Sequence, residues 1–389
     1  MIANRKHSFA ITAAVFLAAA VLLLLFAGQV RGADPPRITA RSAILYDRST
    51  GTVLFEKDAD LPRPPASTTK VMTGILTLEL ASLDEKVEIS RNAASTGGAS
   101  LYLRAGDVFS IRDLLWGALI KSGNDGAVAL AEGVAGSEAL FADLMNKKAA
   151  LLGARLTHFT NPNGLPDKLH RSSASDLALI TDYALDNPYF AQIVRTRAAV
   201  IPLDGSSWKR TLRNTNRMLG LMQGVNGVKT GTTNAAGHCL IASAVRGNQS
   251  LITVVLKSGD RYGDTRRLLE YGFNEFTTFF LPRGTAVGHL YFSSGKPYQT
   301  ELVTARDLTY TVSRDMLASH ERKLVVNART LPLKKGQAVG SFEVHVGGKL
   351  QQRIPVVAVQ RVEPLTVRDK LGSKFGAVRK GFVDFFEED

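Results

Sequence analysis

Ala66-Ser67-Thr68-Thr69-Lys70-Val71-Met72-Thr73 opens an apolar stretch that runs on to Leu80 and reads as a helix with hydroxyl residues at its start. Ser67 and Lys70 stand three residues apart, so a helix carries the hydroxyl and the amine on one face. Such a pair can serve as a nucleophile and its base. Alone the pattern is weak, because Ser-x-x-Lys recurs at Ser206–Lys209 and Ser293–Lys296. An isolated copy is explained as well by a helix cap followed by a surface lysine. What distinguishes the first copy is the order of what comes after it.

Ser122-Gly123-Asn124 follows between two helix-like segments, and Lys229-Thr230-Gly231-Thr232 lies on a strand-like one. Ser-x-Asn also occurs at Ser90–Asn92, in a polar turn, whereas Lys-Thr-Gly occurs once. The trio, in this order, is that of the penicillin-binding proteins and class A β-lactamases. Its chemistry is coherent. A neutral Lys70 can take the proton of Ser67, and burial together with a nearby cation lowers a lysine pKa. Lys229 can be that cation, and Ser122 can relay protons between the lysines and a leaving group. Asn124 offers a donor and an acceptor to a peptide amide. Lys229 and Thr230 suit a substrate carboxylate. Gly231 lets an extended substrate lie against the strand edge. The N–H groups of Ser67 and Thr232 can form an oxyanion hole.

Around these motifs the chain alternates in texture. Ser42–Asp47 and Thr52–Glu56 flank Arg48-Ser-Thr-Gly51 as a hairpin. Helices are expected over Ala66–Leu80, Ile111–Lys121, Asp125–Val134 and Ser137–Leu152. Strands are expected over Gly227–Thr233, Cys239–Val245 and Leu251–Leu256, with a closing helix over Arg266–Phe280. Strands at both ends with helices between them give the α+β class, an antiparallel sheet packed by a helical region. Leu281-Pro282-Arg283-Gly284 marks a boundary between a unit at 38–281 and a small all-β unit at 283–363. In 366–389, Val367, Leu371, Phe375, Val378, Phe382 and Phe385 fall on one helical stripe amid basic and acidic residues, which suits a membrane interface or, alternatively, a helix docked on the β-rich unit or a dimer contact. Gly372, Gly376 and Gly381 each weaken such a helix by about 1 kcal/mol relative to alanine, so it folds against a surface.

The ends and the composition narrow the compartment. Arg5, Lys6 and His7 precede an apolar run from Phe9 to about Ala27, then Val30-Arg31-Gly32-Ala33. Residues 1–33 therefore read as an export signal, cleaved near Gly32 or Ala33 or retained as an anchor. The rest of the chain is expected outside the cytoplasm. One cysteine, Cys239, excludes an intramolecular disulfide. A net charge of +13 suits anionic lipid or wall polymer, or simply a solvated surface rich in lysine and arginine. No aromatic-interleaved basic patch argues for nucleic acid as a partner.

Beyond the trio, Lys121-Ser-Gly-Asn-Asp-Gly126, Phe159-Thr-Asn-Pro-Asn-Gly-Leu-Pro-Asp167, Gly227-Val-Lys-Thr-Gly-Thr-Thr233 and Tyr271-Gly-Phe273 carry a family likeness. Over residues 38–363 the chain resembles the D-alanyl-D-alanine carboxypeptidases, the low-molecular-weight penicillin-binding proteins among the S11 serine peptidases. The resemblance implies removal of the terminal D-alanine from peptidoglycan pentapeptide stems through an acyl-Ser67, with β-lactams as inhibitors and no cofactor or metal. It implies a periplasmic enzyme held by its tail at the outer face of the cytoplasmic membrane. An arginine after the third motif is expected to hold the terminal carboxylate, and of Arg261 and Arg266 the former is preferred. His170 receives no role, and Cys239 is read as buried and inert.

Three other readings compete. A D,D-endopeptidase would use the same chemistry on cross-links. A class A β-lactamase needs a glutamate to deacylate quickly, and between Leu156 and Asp176 the only acids are Asp167 and Asp176. A non-catalytic wall-binding protein would have no use for intact Ser67, Lys70, Ser122 and Lys229.

Overall fold

Gly51, at φ +73°, reverses the chain between β1 (Ser42–Asp47) and β2 (Thr52–Lys57), the expected hairpin. The computed structural model describes residues 34–202, 209–327, 330–367, 369 and 383–385. The export signal read in 1–33 lies outside them. No helix among the described residues is long and apolar enough to cross a membrane.

The Ser67 segment is a short 3-10 turn, Ala66–Thr69, running into α1 (Lys70–Leu80). The expected helix from Ile111 is regular to Trp116, widens into a π turn over Gly117–Lys121, and stops at Ser122 in the left-handed region, φ +66°. Then comes α2 (Asn124–Ala135). The next helix is Glu138–Leu151, and two more that the sequence reading does not assign are Ala174–Leu185 and Pro188–Arg195. Three long strands follow, β3 (Val225–Thr233), β4 (Gly237–Arg246) and β5 (Gln249–Ser258), and then α3 (Arg261–Glu275). The strands form one antiparallel sheet in the order β2-β1-β5-β4-β3. This is the α+β architecture.

The sheet is covered on both faces, which explains its near-continuous apolar strands. Successive side chains point to opposite faces. Ile44, Ile241 and Val254 join the core under the helices around α1 and α2, while Leu45, Leu240 and Val255 join Leu268 and Leu269 of α3. β3 lies at the edge of the sheet, so its outer side faces the 3-10 turn instead of another strand.

Two expectations need correction. The closing helix starts at Arg261, capped by Asp260, whose side chain accepts from the Gly263 N–H at 3.0 Å, and it ends at Glu275. Phe276–Leu281 is a strand, β6, rich in aromatic and β-branched residues, and it pairs with a strand of the second unit. A short apolar run continues a helical pattern as readily as it makes a strand, which is why periodicity misplaces this end. The second unit comprises β6, β7 (Ala286–Tyr291), β8 (Gln299–Thr304), β9 (Leu308–Ser313), β10 (His320–Val326), β11 (Ala338–Val346) and β12 (Lys349–Ala358). β6 pairs with β9, and β10-β11-β12-β8-β7 form the larger sheet around Leu302, Phe342, Val344 and Val356. Buried Asp47 of β1 joins the units: its carboxylate accepts from Thr278 at 3.0 Å and Thr311 at 2.5 Å.

The tail is the second correction. Thr366 and Asp369 exchange the bonds of a capping box, which starts a helix. Val383–Phe385, expected within that helix, instead forms β13, antiparallel to Gly288–Leu290 of β7. The open edge of β7 offers this segment backbone partners that a glycine-weakened helix does not match. Apart from Thr366, Val367, Asp369 and β13, the amphipathic stripe lies outside the described residues.

Candidate active site

The 3-10 turn, the Ser122 turn and edge strand β3 bring the three motifs together. Lys70 starts α1, fully buried, and its Nζ donates to Ser67 Oγ at 3.1 Å, Asn124 Oδ1 at 2.7 Å and the Asn163 carbonyl at 2.7 Å. The three acceptors occupy all three donors of a charged amine. Burial pulls the Lys70 amine well below the usual lysine pKa, the charge of Lys229 pulls it further, and Asp125 opposes both.

The left-handed turn at Ser122 aims its hydroxyl at the second lysine: Lys229 Nζ donates to Ser122 Oγ at 2.9 Å and to the Thr230 carbonyl at 3.1 Å. Burial, with the nearby charge of Arg261, pulls Lys229 down to about 7. Lys229 can therefore change charge near neutral pH, and Lys70 gives up its proton well below the usual lysine range. Each touches one serine hydroxyl, the arrangement a proton relay needs.

Asn124 is less free than its motif suggests. Its Oδ1 is taken by Lys70, and its Nδ2 donates to the Gly97 carbonyl at 2.7 Å. The loop that supplies Gly97 is tied down by buried Asp125, whose carboxylate accepts from Ser100 Oγ at 2.6 Å and from the Leu101 and Leu103 N–H groups. The sequence reading gives neither Asp125 nor Asn163 a role. Asn163 contributes only a carbonyl, which no side-chain pattern reports.

Gly231 is needed for close approach. A Cβ there would sit 2.9 Å from the Pro65 carbonyl and 3.1 Å from the Ser67 nitrogen, both backbone atoms. Gly231→Ala is expected to push β3 off the Ser67 turn and lower kcat/KM by about tenfold to a hundredfold, because small misplacements at a reacting centre are costly. Steady-state kinetics beside a melting curve checks it; unchanged kcat/KM would show that the approach is not tight. Thr230 Oγ1 meets Thr215 Oγ1 at 2.7 Å, a neighbour the sequence does not announce.

Of the two candidate arginines, Arg261 stands at the site. Its Nη1 donates to the Gly231 carbonyl at 3.0 Å and to Thr232 Oγ1 at 2.8 Å. Arg266 is exposed and pairs with Glu270 along its own helix. His170 is buried behind the turn. Its Nδ1 accepts from the Thr160 N–H at 3.0 Å, so the neutral ring donates through Nε2 to Thr69 Oγ1 at 2.8 Å. Burial pulls its pKa down to about 4, which keeps the ring neutral and makes it a brace beside Lys70. Cys239 is buried, and burial pushes its thiol up to about 11. Asp176 accepts from the Leu156 N–H and Thr157 Oγ1, and Asp167 from the Leu169 N–H, so both acids serve their own loop. Among the described residues no acid, histidine and cysteine cluster could hold a metal.

The family model for D-alanyl-D-alanine carboxypeptidase matches residues 29–259, and that for the C-terminal domain of penicillin-binding protein 5 matches 276–364. The chain is 34% identical over 330 residues to the D-alanyl-D-alanine carboxypeptidase DacF of Bacillus subtilis, covering 82% of this chain and 85% of that one. It is 33% identical over 370 residues to DacC of Escherichia coli, named as the same enzyme, covering 89% and 91%. Among solved structures, penicillin binding protein 5 from Haemophilus influenzae superposes with a TM-score of 0.69 at 29% identity, covering 85% of this chain and all of the other. The Streptomyces K15 DD-transpeptidase matches at 0.59 and 32% identity, covering 62% of this chain and all of its own. Two adjoining family matches, relatives aligned over most of their length and a buried lysine on the turn serine lead to one conclusion: the chain belongs to the D-alanyl-D-alanine carboxypeptidase family of serine peptidases.

Proposed function

We propose that the enzyme removes the terminal D-alanine from peptidoglycan pentapeptide stems through an acyl-Ser67 intermediate, and that β-lactams trap the same serine. The observation that carries this reading is the buried Lys70 amine 3.1 Å from Ser67 Oγ, with its pKa lowered by burial and by Lys229. Neutral Lys70 takes the Ser67 proton as Oγ attacks the penultimate D-alanine carbonyl. The N–H groups of Ser67 and Thr232 stabilise the oxyanion. Ser122, held by Lys229, passes a proton to the leaving amine, and water then hydrolyses the ester. Substrate lies along the open edge of β3, with Asn124 on its acyl side. Thr230 and Lys229 receive the terminal carboxylate, backed by the charge of Arg261 behind Thr232. The absence of a glutamate between Leu156 and Asp176 favours slow release of bound β-lactam. The test is D-alanine release from a peptide ending in D-Ala-D-Ala by the purified protein; an inactive but folded protein would refute the reading.

We further propose that the chain is exported through residues 1–33 and that its tail binds the outer face of the cytoplasmic membrane. Support comes from the basic and apolar start and from the phenylalanine stripe amid lysines and arginines. Deleting residues 367–389 from the signal-cleaved protein is expected to move it from the membrane to the soluble fraction. Unchanged sedimentation with membranes would rule out the tail as the anchor.

A further inference from the structure

Arg261 opens α3 directly after the turn at Gly259 and Asp260, so whatever fixes that turn fixes the arginine's backbone. The tip of the side chain is held by the Gly231 carbonyl and Thr232 Oγ1, and by the Cys239 carbonyl at 3.4 Å. Among the described residues Arg261 makes no ion pair, so its charge is left for a ligand. A long side chain with much rotamer freedom stays aimed only if both its tip and its backbone are held.

The backbone is held by a residue ahead of β1. Thr39 Oγ1 accepts from the Gly259 and Asp260 N–H groups, each at 3.0 Å, and donates its own proton to Asp264 Oδ2 at 2.7 Å. The Thr39 N–H donates to Asp264 Oδ1 at 2.9 Å, and the Ala40 N–H to Oδ2 at 2.8 Å. Ser258, the last residue of β5, donates to Asp264 at 2.6 Å, and Arg267 pairs with it from one turn along α3. Asp264 is fully buried. Burial works against its charge, but the bonds from Ser258 and Thr39 prevail and hold the carboxyl below its usual pKa. The Arg41 N–H, bonded to the Leu256 carbonyl at 3.1 Å, lays the same segment along the end of β5. Residues more than 200 positions apart thus converge on the two that precede Arg261.

We propose that Thr39 and Asp264 are positioning residues for the reaction: they clasp the turn at Gly259 and Asp260 and so hold Arg261 where it supports the substrate's terminal carboxylate. The inference rests on the reading of Arg261 given under the proposed function and goes beyond it, because it makes the segment ahead of β1 a part of the substrate site. Neither residue touches substrate. Both act through the arginine, and a small misplacement of a group that binds the reacting end of a substrate is costly.

The experiment measures KM and kcat of the full-length enzyme on a peptide ending in D-Ala-D-Ala for Thr39→Val, Thr39→Ser, Arg261→Gln and the double variant of Thr39→Val with Arg261→Gln. Valine keeps the shape of threonine and removes the hydroxyl. KM is expected to rise about threefold to tenfold with kcat within about twofold, the pattern of binding lost equally from ground and transition states. Thr39→Ser keeps the hydroxyl and should keep the wild-type KM. Arg261→Gln should raise KM by more, and adding Thr39→Val to it should change nothing further, because the clasp acts through that arginine. Unchanged KM in Thr39→Val, a serine variant no better than the valine one, or the same rise in KM with and without Arg261 would overturn the inference. Wild-type KM in Arg261→Gln would instead bring down the reading of Arg261 itself, and the inference with it. Thr39 is exposed, so its variants are expected to fold, and melting curves check this. Asp264→Asn tests the clasp from its other side and is expected to give the same rise in KM wherever it folds.

Discussion

Ser67→Ala is expected to abolish both D-alanine release and covalent labelling by a fluorescent penicillin. The loss in kcat should be on the order of 10⁴- to 10⁶-fold, as when a nucleophile acting as one unit with its base is removed. The substitution leaves the fold almost untouched. It removes one oxygen from a 3-10 turn and frees one donor of Lys70, which keeps Asn124 Oδ1 and the Asn163 carbonyl. The melting temperature should therefore stay close to wild type. The other two Ser-x-x-Lys copies supply the internal control. Penicillin labelling that survives Ser67→Ala would move the nucleophile elsewhere and sink the site assignment.

Lys70→Met is expected to have the next largest effect, about 10²- to 10⁴-fold in kcat, the usual worth of a general base. Methionine fills a similar volume without a charge. It also leaves Asn124 Oδ1 and the Asn163 carbonyl without their donor, at about 1–3 kcal/mol each. Kinetics must therefore be read beside a melting curve, and a folded variant with unchanged turnover would refute the role of Lys70. The wild-type pH profile carries the sign. Lys70 works as a base only when neutral, so activity falls as pH drops through its pKa and the amine gains a proton. That pKa lies well below the usual lysine value because of burial and Lys229. Lys229, pulled down to about 7, loses its own charge as pH rises above that value, and its attraction for a substrate carboxylate weakens with it. Arg261→Gln removes a charge that depresses Lys229, so the alkaline limb should move to higher pH. A limb that stays in place would show that Lys229 does not set it.

Much of the fold is legible in the chain because it depends on local chemistry. The hairpin at Gly51, α1, α2 and strands β3 to β5 follow from turn residues and apolar periodicity. The failures fall where periodicity cannot choose. Phe276–Leu281 extends a helical pattern but is a strand, and Val383–Phe385 leaves an amphipathic stripe for an open sheet edge. Both choices depend on a partner strand far away in the chain.

The candidate site divides along the same line. Residue order sets which side chains stand where: a serine–lysine pair at a helix start, a Ser-Gly-Asn turn, and a Lys-Thr-Gly strand. Packing in three dimensions settles what those groups are chemically. Lys229 meets Ser122 across 107 residues, and Lys70 meets Asn124 across 54. Neither lysine would lose basicity if it were exposed. Arg261 rather than Arg266 stands behind Thr232 because α3 begins one turn earlier than its apolar pattern does. The physical reason is common to all of these: desolvation and charge–charge coupling act through space, and the packing of helices against an edge strand, not the order of residues, sets those distances.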